Sequence, residues 1–273
     1  MTDAMDAATL PTYEAYAVRY ATRSGHRPDN FIKGDPDNRP MPMDYYVWVI
    51  RGERRLFVVD TGFSPEGGAK RGRALLRTPA QALALMGVNA GTVEDVIITH
   101  CHFDHIGTND AFPNARFHLQ EDEMAYATGR HMRYGLLNSG YEADDIAGLV
   151  RLVFKDRVQF YAGDATLAPG ISVHRIGGHT RGLQCVRVHT QRGWVVLASD
   201  TTHYYEHFEK KRVYPTVFDV GEVLEGYRTL LQLADSPRHI VPGHDPLVME
   251  RYPAAAAKLE GIVARLDVAP VGC

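Results

Sequence analysis

Residues 13–21 (YEAYAVRYA) alternate between apolar and polar side chains, the period-two pattern of a strand facing a core. The same pattern predicts a hairpin, with strands over 45–50 (YYVWVI) and 56–60 (LFVVD) joined across Gly52 and Glu53. The short apolar run Val96-Ile97-Ile98 predicts a strand buried on both faces, and 115–118 another strand. A second group of strands is predicted over 158–161, 171–176, 183–189 and 194–198, with a short one at Ile240-Val241-Pro242. Helical spacing marks 69–86 (interrupted at Pro79), 121–127, 223–233 and 251–266. Residues 25–43, dense in Pro, Asn, Asp and Gly, predict a long irregular loop, read as a flap at the rim of a site. Residues 128–155 leave the strand pattern and predict a helical insertion.

The chemistry concentrates where the Val96-Ile97-Ile98 strand ends, in Thr99-His100-Cys101-His102-Phe103-Asp104-His105-Ile106-Gly107. On a helix, residues two apart do not face each other. At a strand end they do, so His100 and His102 can point at one site, and the following turn can bring Asp104 and His105 to an adjacent one. Gly107 is read as permitting a sharp turn. Three further candidates follow apolar strands or sit in glycine-rich turns. They are His179 in Gly177-Gly178-His179-Thr180-Arg181-Gly182, Asp200 after Val195-Val196-Leu197-Ala198-Ser199, and His244 in Pro242-Gly243-His244-Asp245. Loops after strands gather at one rim of a scaffold. Neutral imidazoles and carboxylates are ligands that suit zinc.

On these motifs, together with Val58-Val59-Asp60-Thr61-Gly62, the sequence resembles the metallo-β-lactamase superfamily, and within it the N-acyl-homoserine lactonase-like hydrolases. The resemblance covers nearly the whole chain and implies one domain over 1–273, an αββα sandwich with a two-metal site between its sheets. It implies two zinc ions, or other divalent metals. One would be held by His100, His102 and His179, the other by Asp104, His105 and His244, with Asp200 bridging. Asp60 would orient ligands without ligating. The implied reaction is attack of a metal-bridging hydroxide on a lactone or related ester, with Asp104 directing the hydroxide. Two dications set against Asp104, Asp200 and the hydroxide leave a small positive charge to hold a developing oxyanion. Lactonases of this kind are expected to carry a tyrosine three residues after the bridging aspartate. Here that position is His203, followed by Tyr204 and Tyr205, so either His203 or a neighbouring tyrosine such as Tyr204 supplies the donor. The insertion would shape the substrate pocket, with Met132, Tyr134 and Leu137 joining Phe103 and Met43 in an apolar lining. His118 is read as structural and His207 as a surface residue.

Composition changes this picture little. At 273 residues, 45% hydrophobic and 23% charged, the chain can bury one large layered core. A net charge of −3 gives no reason to expect nucleic acid or an anionic membrane as partner. No apolar run reaches the length of a membrane span, and residues 1–11 show no leader pattern. Cys101, Cys185 and Cys273 have no pairing pattern, which fits a reducing compartment, and the Cys101 side chain is expected in packing. The expected location is cytoplasmic and the expected partner a small-molecule ester or lactone; a homodimer is compatible with the chain. No GxSxG elbow is present. Two rival activities share the motif. A thioesterase of the glyoxalase II kind would need a basic cluster near the C-terminus, for which Arg251 and Lys258 are the candidates. A mononuclear iron sulfur dioxygenase would need only His100, His179 and Asp200.

Overall fold

Alternating or unbroken apolar runs make the strands. In the computed structural model, which describes residues 10–271, β1 (Glu14–Arg23) pairs antiparallel with β2 (Met43–Arg51), Tyr16 lying opposite Val49. Cys273 and residues 1–9 of the leader reading lie outside the described residues. β2 turns back antiparallel onto β3 (Leu56–Val59), and the two-residue β4 (Ala74–Leu75) pairs with β1. β5 (Asp95–Ile97), β6 (Arg116–Gln120) and β7 (Val158–Tyr161) then add in parallel beyond β3. The second sheet runs in the order β12, β11, β10, β9, β8, from β8 (Ala165–Ala168), β9 (Ile171–Arg175), β10 (Gln184–Thr190), β11 (Gly193–Ser199) and β12 (Ile240–Pro242). The chain returns to the first sheet as β13 (Val263–Arg265), antiparallel to β1.

Side-chain alternation gives the first sheet two buried faces. Ala15, Ala17, Tyr46, Trp48 and Ile50 pack into a core shared with the second sheet, and Tyr16, Val18, Tyr45, Val47 and Val49 into a separate cluster on the other face. A sheet covered on both sides needs apolar residues at every position, which is why 45–50 is an unbroken run. Each fully buried side chain such as Phe57 or Ile50 contributes about 1.5–3 kcal/mol. Helices cover the outer faces. On the first sheet these include α1 (Pro65–Lys70), α2 (Pro79–Ala84), α3 (Phe103–Ile106), α4 (Glu121–Ala127), α5 (Gly135–Asn138) and α6 (Ala143–Phe154). Ala82, Leu83, Tyr126 and Leu149 of this set enter the outer cluster. On the second sheet α7 (Tyr205–Lys210), α8 (Val220–Leu233) and α9 (Leu247–Arg251) contribute Phe208, Val223, Tyr227, Leu230 and Val248. The layers are therefore αββα.

Two element predictions need correction. The two packed helical pieces read over 69–86 are present but shifted: the first ends at Lys70, and Pro79 begins the second instead of breaking it. Ser64 and Thr78 cap two short helices, accepting hydrogen bonds from the backbone N–H of Gly67 and Gln81, and β4 lies between them. Residues 251–266 form no continuous helix: α9 ends at Arg251 and only the single 3-10 turn Ala257–Leu259 follows. Pro253 removes a backbone donor, Gly261 turns with φ +66°, and the open edge of β1 takes up Val263, Ala264 and Arg265. Among the described residues no helix is long and apolar enough to cross a membrane.

Candidate metal centre

The ends of β3, β5 and β11, and the turns after β9 and β12, meet at one rim of the sandwich. Beyond β5, His100 and His102 emerge two residues apart, and α3 begins at once to supply Asp104 and His105. His179 lies in the turn after β9, Asp200 follows β11, and His244 follows β12. All seven are buried. Candidate donor atoms fall into overlapping groups, each within 4.8 Å: His100, His102 and His179; His100, His105 and Asp200; Asp104, His105 and His244; and His179, Asp200 and His203.

Each ring is fixed from behind, which decides which nitrogen faces inward. His179 Nδ1–H donates to the Thr216 carbonyl at 2.7 Å, and His244 Nδ1–H to the Asp44 carbonyl at 2.9 Å. His105 Nδ1–H donates to Asp60 Oδ2 at 2.7 Å, and His100 Nδ1 lies 3.2 Å from Thr99 Oγ1. The opposite atoms converge on Asp200. His244 Nε2 is 2.9 Å and His105 Nε2 3.4 Å from its Oδ1; His179 Nε2 is 3.2 Å and His100 Nε2 3.9 Å from its Oδ2. His102 is turned the other way. Its Nδ1 lies 2.9 Å from His179 Nε2, while Gly140 packs flat against the ring edge. Buried imidazoles oriented through one nitrogen are how proteins prepare metal ligands.

Asp60 and Thr99 connect the two halves of this arrangement. Asp60 accepts from Thr99 N–H at 2.7 Å and from Thr99 Oγ1 at 2.8 Å, and Thr99 Oγ1 lies 2.8 Å from Ser199 Oγ. Asp60 and Ser199 both hold positive φ, 61° and 46°, at strand ends beside the site. Gly107 has φ −72°, so it needs no special turn. A Cβ there would lie 2.6 Å from the Phe103 carbonyl, so the position is glycine for space.

The electrostatics of the cluster fit a bound cation. Burial and the neighbouring histidines push the His100 and His102 imidazoles well below their ordinary range. Burial would also lower His105, but Asp60, Asp104 and Asp200 outweigh it and raise the ring to about 10. Burial would raise Asp200, yet His244, His203 and His105 hold its carboxyl well below the usual carboxylate range. His100 Nε2, His105 Nε2, His203 Nε2 and Asp200 Oδ1 are buried without a hydrogen-bond partner among the described residues. Such atoms are costly unless a ligand satisfies them, and divalent metal ions bound by imidazole and carboxylate fit this donor set.

The remaining sequence candidates separate. His203 lines the same cavity, with Nε2 3.0 Å from Asp200 Oδ2 and its ring stacked on Tyr214. Tyr204 does not reach in, which corrects its reading as a donor: its hydroxyl donates to the Pro42 carbonyl at 3.1 Å. Phe103 and Met43 line the cavity. Met132, Tyr134 and Leu137 do not, a second correction. Met132 lines a separate surface hollow beside Ile146, and Tyr134 is 55% exposed. The insertion reaches the cavity instead through Ser139 and Gly140, because α5 turns its apolar residues outward and Leu136 is 87% exposed. His207 is not a surface residue. It is fully buried, donates Nε2–H to the Asn30 carbonyl at 3.0 Å, and is held near pKa 4 by burial. This bond fastens the 25–43 loop to α7, as do the Arg27 contacts to Glu206 at 2.8 Å. His118 donates and accepts within a structural network of Asp95 and Tyr161, and Cys101 is buried in packing. Arg23, Arg71, Arg73 and Tyr45 also line the cavity and were not expected. No local pattern marks them: Arg71 and Gly72 form the turn that ends α1, with Gly72 at φ +64°.

Comparison with known proteins agrees with this geometry. The profile of the metallo-beta-lactamase superfamily matches residues 41–250. An N-acyl homoserine lactonase of Bacillus cereus is 30% identical over 216 residues, 73% of this chain and 80% of that protein. A probable metallo-hydrolase of Mycobacterium tuberculosis is 25% identical over 230 residues, 74% of this chain and 71% of that protein. A solved quorum-quenching N-acyl homoserine lactone lactonase superposes with a TM-score of 0.72 at 22% identity, covering 88% of this chain and 94% of that one. AidC, a dizinc quorum-quenching lactonase solved with a product, gives 0.67 at 18% identity, covering 86% and 88%. A His/Asp cluster at the rim of two packed sheets, on a chain matched by that profile over most of its length, makes this protein a hydrolase belonging to the metallo-beta-lactamase superfamily.

Proposed function

We propose that the protein is a dinuclear zinc hydrolase that opens a lactone or a related carboxylic ester, N-acyl-homoserine-lactone-like compounds being the first class to test. The observation that carries this reading is the convergence of oriented imidazole nitrogens on the buried Asp200, several of them without a hydrogen-bond partner among the described residues. The lactonase relative and the dizinc fold neighbour support both the bond type and the metal. His100, His102 and His179 would hold one ion, Asp104, His105 and His244 the other, with Asp200 between them. Two zinc ions bound there would supply Lewis acidity toward a carbonyl oxygen and a hydroxide at neutral pH.

The chain's own groups do the rest. Asp104 stands at the cavity wall, where its carboxylate would accept a hydrogen bond from the attacking water and fix its direction. His203 is held neutral by burial, which outweighs its contact with Asp200, so it acts as a hydrogen-bond donor. Tyr45 lies edge-on to His244 at 5.1 Å between ring centroids, and burial pushes its phenol up so that the proton stays on. These two are among the donors that line the cavity and could serve an oxyanion. Cys101 is no nucleophile, because burial pushes its thiol well above its ordinary range.

The test is proton release in weak buffer from acyl-homoserine lactones, simple lactones, aryl esters and glutathione thioesters. Zinc-loaded protein, chelated protein and a His102→Ala variant are compared. Ester or lactone turnover lost in both controls is the expected result. Turnover of thioesters alone, or silence across the panel with two zinc ions bound, refutes the proposal.

A further inference from the structure

We infer that the substrate carries its own carboxylate, held by Arg23 and Arg73 at the wall of the cavity. This rests on the ester-hydrolase reading for the reacting bond and adds what the rest of the molecule must present. The cavity that exposes Asp104, Asp200 and His244 is also lined by Arg23, Arg71 and Arg73. The three arginines are not equivalent. Arg71 already has a counter-ion: it pairs with Glu142, which also takes Lys70 at 2.9 Å, and its guanidinium lies 4.1 Å over the Phe103 ring.

Arg23 and Arg73 are held by neutral groups instead. Arg23 Nη2–H donates to the Asn30 side-chain oxygen, and Arg73 Nη1–H to the Arg71 carbonyl, each at 2.8 Å. The Nε of each is buried with no hydrogen-bond partner among the described residues. Asn30 is fixed in turn, since its amide nitrogen donates to the carbonyls of His26 and Met41 at 3.2 Å and 3.1 Å, which leaves its oxygen to face Arg23. Both guanidiniums lie close enough to Tyr45 to act on its phenol electrostatically, and Tyr45 packs against His244. Half-buried, positioned cations with no ion-pair partner among the described residues therefore flank the candidate reaction centre. Guanidinium is the side chain that meets a carboxylate with paired, charge-assisted hydrogen bonds.

Size and lining point the same way. The cavity is about 340 Å³, near the low end of small-molecule sites. Its apolar surface is modest, because Phe103 is covered by Arg71 and stacked on Phe63 at 5.6 Å. A long alkyl chain finds little to bury here. A compact anionic ester or lactone finds two unmet positive charges.

The experiment compares matched pairs on the zinc-loaded protein: para-nitrophenyl hemisuccinate against para-nitrophenyl butyrate, and γ-carboxy-γ-butyrolactone against γ-valerolactone. The carboxylated member should be preferred about 10- to 100-fold in kcat/KM, the range of charge-assisted hydrogen bonds. That preference should shrink as potassium chloride is raised, a readout that needs no variant. Arg23→Gln and Arg73→Gln should each cut the ratio, mainly through KM. A ratio near one in the wild type, indifferent to salt, overturns the inference and leaves the hydrolase reading standing. If none of the four compounds is turned over, calorimetric titration with succinate still decides the arginine site, independently of the ester reading. Binding weakened in both variants supports it, and equal or absent binding overturns it.

Discussion

Replacing Asp60 by Asn should weaken metal binding while leaving the metal-free fold nearly intact. The residue sits at φ 61°, a conformation Asn adopts as readily as Asp, so the change adds no backbone strain. Asp60 accepts from Thr99 N–H at 2.7 Å, from Thr99 Oγ1 at 2.8 Å and from His105 Nδ1 at 2.7 Å. An asparagine can keep its oxygen on the Thr99 N–H and turn its amide toward the other two groups. Thr99 adapts, because its hydroxyl can donate instead to Ser199 Oγ at 2.8 Å. His105 does not. An amide N–H facing Nδ1 forces the ring proton onto Nε2, the atom 3.7 Å from Asp104 Oδ2 and 3.4 Å from Asp200 Oδ1. Losing that charge-assisted bond costs about 1.5–3 kcal/mol, or about 10- to 100-fold in affinity for an ion held by His105. Burial already raises the Asp60 carboxyl, so removing an interior charge offsets part of the cost. The chelated protein should change by less than about 2 kcal/mol. The assay is zinc affinity by competition with a chromophoric chelator, with thermal unfolding of the chelated protein beside it. Zinc bound by the variant with wild-type stoichiometry and affinity would refute the reasoning.

Three further outcomes are expected. Gly140→Ala puts a Cβ 2.5 Å from His102 Cδ2 and 2.6 Å from its Nε2, so the ring must move. Overpacking of this kind costs about 1–3 kcal/mol, and zinc content and turnover should fall more than thermal stability does; an unchanged zinc affinity refutes the placement. His105, raised to about 10 in the metal-free state, is protonated at neutral pH and must lose a proton to serve as a ligand. Calorimetry of zinc binding in two buffers should therefore show proton release, with apparent affinity rising from about pH 6 to 8, and no release would count against it. Glu206 is lowered from 4.5 to about 2 by its hydrogen bond with Arg27, so the stability it adds is present above pH 4.5 and lost as pH falls toward 2. The pair is partly exposed and contributes no more than about 1 kcal/mol. Glu206→Gln should speed amide exchange in residues 27–35 at pH 7, and equal exchange rates would show that the pair does not fasten the loop.

The sequence by itself determined which atoms a metal could use and where the backbone would present them. His100, His102, Asp104 and His105 are legible because a strand end followed by a helix start is local geometry, fixed by the apolar run before them and the spacing within it. The strands with unbroken or alternating apolar runs were readable for the same reason, since period and burial follow from neighbouring residues. The strand at 263–265 was not, because Ala254 to Ala256 favour a helix locally and only the open edge of β1, more than two hundred residues away, favours a strand. Tyr204 and Tyr45 make the same point. Nothing near Tyr204 in the chain says that its hydroxyl turns to Pro42, and nothing near Tyr45 says that it meets His244. Arg23 and Arg73 look like any surface arginines until the fold half-buries them in the cavity of the candidate metal centre, with no counter-ion among the described residues. Short-range sterics and hydrophobic periodicity are written in adjacent residues. Desolvation, orientation of a ring by a distant carbonyl, and the pairing of charges depend on which remote segments meet, and only the tertiary structure decides that.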